Sequence, residues 1–116
     1  MTKKVYYLKT CSTCQRILKE LDLPEEWQLQ NIKEEPITES QIKEMKELAG
    51  SYEALFSKRS MKYKAWNLKE KNLSEEDMKN YILEEYTFLK RPVFIYGDKI
   101  FVGNAKKEIE SLKEAL

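Results

Sequence analysis

The sequence contains no histidine. That removes the imidazole base, the Cys-His and Ser-His nucleophile pairs, and every histidine metal ligand. Only two cysteines occur among 116 residues. A single chain therefore offers neither a four-cysteine zinc site nor a dense disulfide framework. Three glycines exclude a phosphate loop of the G-x-x-x-x-G-K-S kind. No apolar run approaches the roughly 18 residues that a membrane span needs. The apolar stretch at residues 5–8 ends at Lys9 and is too short for a secretory signal. The expected compartment is the cytoplasm, where stable structural disulfides are uncommon. Net charge is also nearly absent, with 21 Lys and Arg against 20 Asp and Glu. Such a balance exerts no overall pull on nucleic acid or anionic membranes, so neither is expected as a partner.

What is present suffices for one core. Hydrophobic residues make up 41% of the chain, enough for a domain of this length to fold without staples. No repeat, linker or low-complexity tract divides it, so residues 1–116 read as a single domain. Residues 5–8 read as a short buried strand. A helix follows Thr10-Cys11-Ser12-Thr13-Cys14, with Ile17, Leu18 and Leu21 on one face and Pro24 beyond its end. Residues 27–32 alternate and read as a second strand. Thr38-x-x-Gln41 is a capping box for a helix carrying Ile42, Met45 and Leu48, and Gly50 closes it. Residues 51–64 read as helix with a break near Ser57. Trp66, Leu68 and Leu73 are apolar anchors on the loop that follows. Ser74-Glu75-Glu76-Asp77 is an acidic helix start, continued by Met78, Tyr81 and Ile82. Residues 84–89 read as its frayed end or a turn. Residues 92–96 and 100–102 flank Gly97-Asp98 as a β-hairpin. Residues 105–115 form a last helix, with Ile109, Leu112 and Leu116 as its apolar face. The order β, α, β, several helices, ββ, α describes an α/β domain with a central sheet of four strands. Tyr6, Tyr7, Trp27, Tyr81, Phe94 and Phe101 are expected in the core.

Cys11 and Cys14 are the most informative residues. They form C-x-x-C directly after a strand and at a helix start. Unpaired N–H groups at a helix N-terminus stabilise an anion, so a thiolate there has a lowered pKa. Thiolate is the nucleophile of thiol–disulfide exchange. Cys11, at the turn, is the expected attacking sulfur, and Cys14, one turn into the helix, the resolving partner. Two blander readings stand beside this one. Half of a zinc site would need carboxylates or a second chain to complete it. Two ordinary buried cysteines would need nothing more.

The frame from Tyr6 to Leu18, the later Phe88-Leu89-Lys90-Arg91-Pro92-Val93, and Val102-Gly103-Asn104 before a final helix resemble the arsenate reductase and Spx-type family. The resemblance covers essentially the whole chain. It implies a thioredoxin-like fold: a mixed four-stranded sheet with flanking helices and a helical insertion at about residues 37–87. In the glutaredoxin-coupled arsenate reductases an N-terminal cysteine attacks arsenate and forms a thiol–arsenate adduct, and Cys11 matches it. Arg16 matches an arginine of the first helix. Arg91 matches the oxyanion-binding arginine of an R-P motif, where a planar guanidinium can bond two oxygens at once. Pro92 matches the cis-proline that such folds place beside the cysteine. The resemblance implies no bound metal or organic cofactor, and an external thiol donor: glutathione with glutaredoxin, or thioredoxin.

Two positions depart from the reductase pattern. Asn104 stands where the reductases have a further arginine. Arg59, in Ser57-Lys58-Arg59-Ser60, is displaced by about two residues from their insertion arginine and matches the S-x-R-S segment of Spx-type proteins. Arg16, Arg59, Arg91 and Asn104 are together the substrate-binding candidates. Cys14 too is more typical of Spx-type members. Those are redox-controlled regulators that bind the RNA polymerase α-subunit, with the cysteine pair as switch. The basic C-terminal extension expected of such a regulator does not follow Leu116. The sequence thus supports two expectations: a thiol oxidoreductase reducing arsenate, or a non-enzymatic redox sensor. The run Lys58-Arg59-Ser60-Met61-Lys62-Tyr63-Lys64 reads first as a solvated basic face. An anion or partner site is its sharper reading, and Tyr63 and Trp66 nearby raise single-stranded nucleic acid as a further one.

Overall fold

In the computed structural model, which describes residues 2–116, the chain falls into two units. The first joins residues 2–35 with Arg91–Leu116, and the second is Pro36–Lys90.

The first unit is built on four strands. β1 (Lys3–Tyr7) runs parallel to β2 (Gln28–Asn31) and antiparallel to β3 (Val93–Tyr96), which pairs antiparallel with β4 (Lys99–Val102). The sheet order is β2-β1-β3-β4, a mixed sheet. The register places Val5 beside Phe94 and Phe94 beside Phe101. Side chains alternate along a strand, so these three share one face. They form a core with Ile17 of helix α1 (Ser12–Leu21) and with Ile109 and Leu112 of helix α5 (Lys106–Ala115). Trp27 completes that core from the segment before β2, stacked on Tyr96 at 5.7 Å and edge-on to Phe94 at 6.5 Å. The alternation that suggested strand from residue 27 therefore reflects burial of Trp27 in a turn, and the strand begins at Gln28. Leu116 departs from expectation. It follows the last turn of α5 and is 48% exposed rather than part of the apolar face.

The second unit is helical. Helix α2 (Glu39–Ala49) starts at the expected capping box, with Thr38 and Gln41 exchanging backbone and side-chain hydrogen bonds of 3.1 Å. It ends at Gly50, whose φ of 98° suits a residue without Cβ. A second box, Ser74 with Asp77, starts α4 (Glu75–Glu84). Residues 51–60 are not helical, contrary to the expectation of helix over 51–64; only α3 (Met61–Ala65) is helix there. The reason lies 22 and more residues away. The Glu75 carboxylate accepts hydrogen bonds from the N–H groups of Tyr52 at 2.7 Å and Glu53 at 3.1 Å. Phe56 then forms an isolated antiparallel bridge with Leu89 and stacks on Phe88 at 5.2 Å. The Ser57 N–H donates to the Phe88 carbonyl and the Lys90 N–H to the Leu55 carbonyl, so long-range partners take backbone groups that a helix would have used. Leu68 is fully buried on a 3₁₀ turn (Leu68–Glu70), and residues 84–89 resolve into the end of α4 and a second 3₁₀ turn (Tyr86–Phe88). Tyr6, Trp27, Phe94 and Phe101 are buried, whereas Tyr7 and Tyr81 are only half-buried.

Candidate active site

The two cysteines lie where β1 hands over to α1. Leu8 is buried, and a tight turn follows in which the Cys11 N–H donates to the Leu8 carbonyl at 3.0 Å. Cys11 is the N-cap residue of α1, extended at φ −89° and ψ 112°. Its carbonyl accepts the Gln15 N–H at 3.1 Å, the first bond of the helix. The turn is pinned from both sides. The Gln15 side chain donates to the Lys9 carbonyl, and the Lys9 N–H donates to Asn31 Oδ1 at 3.2 Å. Neither Gln15 nor Asn31 was singled out from the sequence. The Asn31 contact spans 22 residues and leaves no local signal.

Cys11 is half-buried and Cys14 fully buried. Burial alone pushes the Cys11 thiol up, but four contacts outweigh it. The backbone of Cys14, the Cys14 thiol, the Arg91 guanidinium and the backbone of Thr13 together hold it below the ordinary thiol value. These are the free N–H groups of a helix start, a neighbouring S–H donor and a cation. The first turn of α1 carries no acidic residue to oppose them. Cys14 moves the other way. Burial first, and then the hydrogen bond and charge of Cys11, push its thiol up to about 11, against smaller opposing effects from the Leu8 backbone and Arg91. Ionisation is therefore favoured at Cys11 and disfavoured at Cys14.

Arg91 is half-buried and precedes Pro92 across a cis peptide bond. The Pro92 carbonyl accepts the Gly103 N–H at 2.9 Å, which ties the start of β3 to the segment leading into α5. Cys11, Cys14 and Arg91 are thus one electrostatic group.

The remaining candidates are Arg16, Asn104 and Arg59. Arg16 and Asn104 are exposed and line a cleft of about 300 Å³ between α1 and α5, over Ile17 and Ile109. At this cleft Lys113 bonds Glu20 at 2.7 Å. That hydrogen bond, the charge of Lys113 and a smaller effect of Arg16 hold the Glu20 carboxyl low. Arg59 is an exposed residue of the second unit, in the turn before α3. Among the described residues, no three His, Cys, Asp or Glu side chains cluster as a metal site. No described helix is long and apolar enough to cross a membrane.

The match of the ArsC family model extends over residues 6–112, from β1 into α5. The chain belongs to the ArsC family. Among curated proteins it is 29% identical over 114 residues to the uncharacterized protein YusI of Bacillus subtilis, covering 95% of this chain and 97% of that one. Among solved structures it resembles a possible arsenate reductase from Streptococcus mutans, with 26% identity, a TM-score of 0.73, and coverage of 97% and 98% of the two chains. It also resembles an arsenate reductase from Vibrio cholerae at a TM-score of 0.77 and 19% identity, each chain covered in full. The fold of this ArsC-family chain is therefore thioredoxin-like, with a mixed four-stranded sheet and flanking helices.

Proposed function

We propose that this ArsC-family chain is an arsenate reductase-like thiol redox protein with Cys11 as its nucleophile. The observation that carries the reading is the opposed ionisation of the two thiols beside Arg91. An activated cysteine needs a source of positive potential, and a chain without histidine must draw it from backbone N–H groups and from arginine or lysine; here Arg91 is the cation beside the thiols.

The chemistry follows from that arrangement. The Cys11 thiolate attacks the arsenic of arsenate, an As–O bond breaks, and the oxygen leaves as water after protonation. Arg91 neutralises charge on the remaining oxygens. Arg16, Arg59 and Asn104 are the further substrate-binding positions of this proposal. A second thiolate then attacks Cys11 Sγ. The S–As bond breaks, its electron pair passes to arsenic, and arsenite leaves with arsenic reduced from +5 to +3. The two sulfurs, oxidised by the same two electrons, become a disulfide. Cys14 or an external thiol supplies the second sulfur. Adduct formation removes the Cys11 negative charge, and with it one of the effects that keep Cys14 protonated. Glutathione with glutaredoxin, or thioredoxin, then reduces the disulfide, as a cytoplasmic location would allow.

The test is arsenate-dependent NADPH consumption by the purified chain, coupled to glutaredoxin or thioredoxin and their reductases. Turnover that vanishes in Cys11→Ser supports the reading. No turnover with either donor overturns it.

A second reading has its own support. The direct contact of the two cysteines and the neutral Asn104 suit a redox switch of the Spx type that binds the RNA polymerase α-subunit. In that case a peroxide would oxidise the two thiols to a disulfide and be reduced to water. A pull-down of the α-subunit that responds to oxidation would support it, and no binding in either redox state would remove it.

A further inference from the structure

The net charge of +1 conceals one strongly basic surface in the second unit. Residues 54–69 hold Lys58, Arg59, Lys62, Lys64 and Lys69 and no acidic residue. All five are exposed, and none forms an ion pair among the described residues. Elsewhere Lys3, Lys79 and Lys113 are paired, with Glu26, Glu39 and Glu20. In the middle of the basic run stands Met61, 87% exposed, against 52% for Leu29 and 48% for Leu116. A flexible, polarizable thioether in open water is a side chain suited to a contact surface. Beside it Tyr63, Lys64, Asn67 and Lys69 line a shallow cleft of about 330 Å³.

The chemistry of the surface selects its partner. Single-stranded nucleic acid needs aromatic rings free to stack on bases. Here both rings are half-buried and engaged by other rings rather than set out as a stacking platform. Tyr63 packs edge-on to Phe56 at 6.1 Å, and Trp66 packs against Tyr81 at 6.0 Å and Phe88 at 5.5 Å. What remains outward is five cations, a thioether and a small cleft. We propose that this surface docks an acidic protein segment carrying apolar side chains, with carboxylates set against Lys58, Lys62, Lys64 and Lys69 and an apolar residue against Met61 and the Tyr63 cleft. Attraction between opposite charges speeds and orients the encounter, and the apolar contact distinguishes such a segment from any other polyanion.

Fluorescence anisotropy with the full chain tests this directly. The probes are a labelled acidic peptide of Glu and Asp with leucines at helical spacing, the same peptide with serine for leucine, and an oligothymidine of equal charge. The leucine peptide should bind at low salt and weaken as salt rises. Lys62→Glu with Lys64→Glu should weaken it about tenfold, since each reversal replaces attraction by repulsion. Met61→Ser should weaken it about threefold through lost apolar contact. Lys33→Glu with Lys107→Glu, the same change in net charge at exposed sites elsewhere, should bind like the parent. Equal binding of the serine peptide, or an indifferent Met61→Ser, would reduce the surface to bulk charge and overturn the proposal. So would tighter binding of the oligothymidine, or no binding of the leucine peptide at low salt.

Discussion

Cys14 is in hydrogen-bond contact with Cys11, and the two thiols are driven in opposite directions. Cys11 is held below the ordinary value while Cys14 is pushed up to about 11. The same contact does both, because a proton on Cys14 Sγ is a donor to the Cys11 thiolate and a charge on Cys11 resists a charge on Cys14.

Replacing Cys14 by alanine should therefore raise the Cys11 pKa. The substitution removes the thiol donor but leaves the N–H groups of residues 13 and 14 and the Arg91 charge, so activation falls only in part. The pH dependence of Cys11 alkylation by iodoacetamide reads this directly. An unchanged or lower Cys11 pKa in Cys14→Ala would contradict the account.

Arg91→Ala should likewise raise the Cys11 pKa, because the guanidinium charge is one of the effects that lower it. If arsenate is the substrate, the variant also loses an oxyanion donor, and kcat/KM should fall by about a hundredfold. Arg91→Lys should recover most of the pKa but little of the turnover, since an ammonium keeps the charge and loses the planar fork. Full turnover in the lysine variant would show that Arg91 acts by charge alone.

Stability under reducing conditions should fall as pH rises from about 8.5 towards 11. In that window the unfolded chain has lost the Cys14 proton, whose ordinary pKa is about 8.5, and the folded chain still holds it. The unfolded state binds fewer protons, so the slope of unfolding free energy with pH is negative. Cys11 has the opposite sign. Its lowered pKa contributes stability that appears as pH rises through the folded value and is complete above the ordinary one. The loss attached to Cys14 is at most about 3 kcal/mol. Urea unfolding of the parent and Cys14→Ala across this range separates it from lysine and tyrosine titration common to both. Parallel curves for the two proteins would show that Cys14 carries no such linkage.

Glu75→Ala should lower stability by about 1 kcal/mol. The carboxylate holds the N–H groups of Tyr52 and Glu53, and both bonds are solvent-exposed, so water replaces part of what is lost. Faster amide hydrogen exchange at Tyr52 and Glu53 would accompany the change. Unaltered exchange there would mean that the irregular path of residues 51–60 is held by Phe56 and Phe88 instead.

Much of this was legible because the determining groups are neighbours in sequence. Thr38 with Gln41, Ser74 with Asp77 and Gly50 place helix ends through contacts within one turn. C-x-x-C after a strand places a thiol at a helix start for the same reason. The apolar spacing of residues 51–64 permits helix, whereas Phe88 and Lys90 take backbone groups of Ser57 and Leu55 from far along the chain. Trp27 was misread as strand because burial in a turn and burial in a sheet give the same pattern.

By itself the sequence determined that a chain without histidine has to activate any thiol through backbone N–H groups and nearby arginine or lysine, and that Cys11 is the thiol so placed. Only the tertiary structure decided how unequal the two sulfurs are. That inequality depends on the complete burial of Cys14 and on its contact with Cys11, while Arg91, some 80 residues further on, lowers both thiols. Dielectric and distance set a pKa, and neither is written in local spacing. The same holds for the basic run 58–64. Its charge is plain in the sequence, but only packing shows that its aromatic neighbours are half-buried against other rings while Met61 faces water.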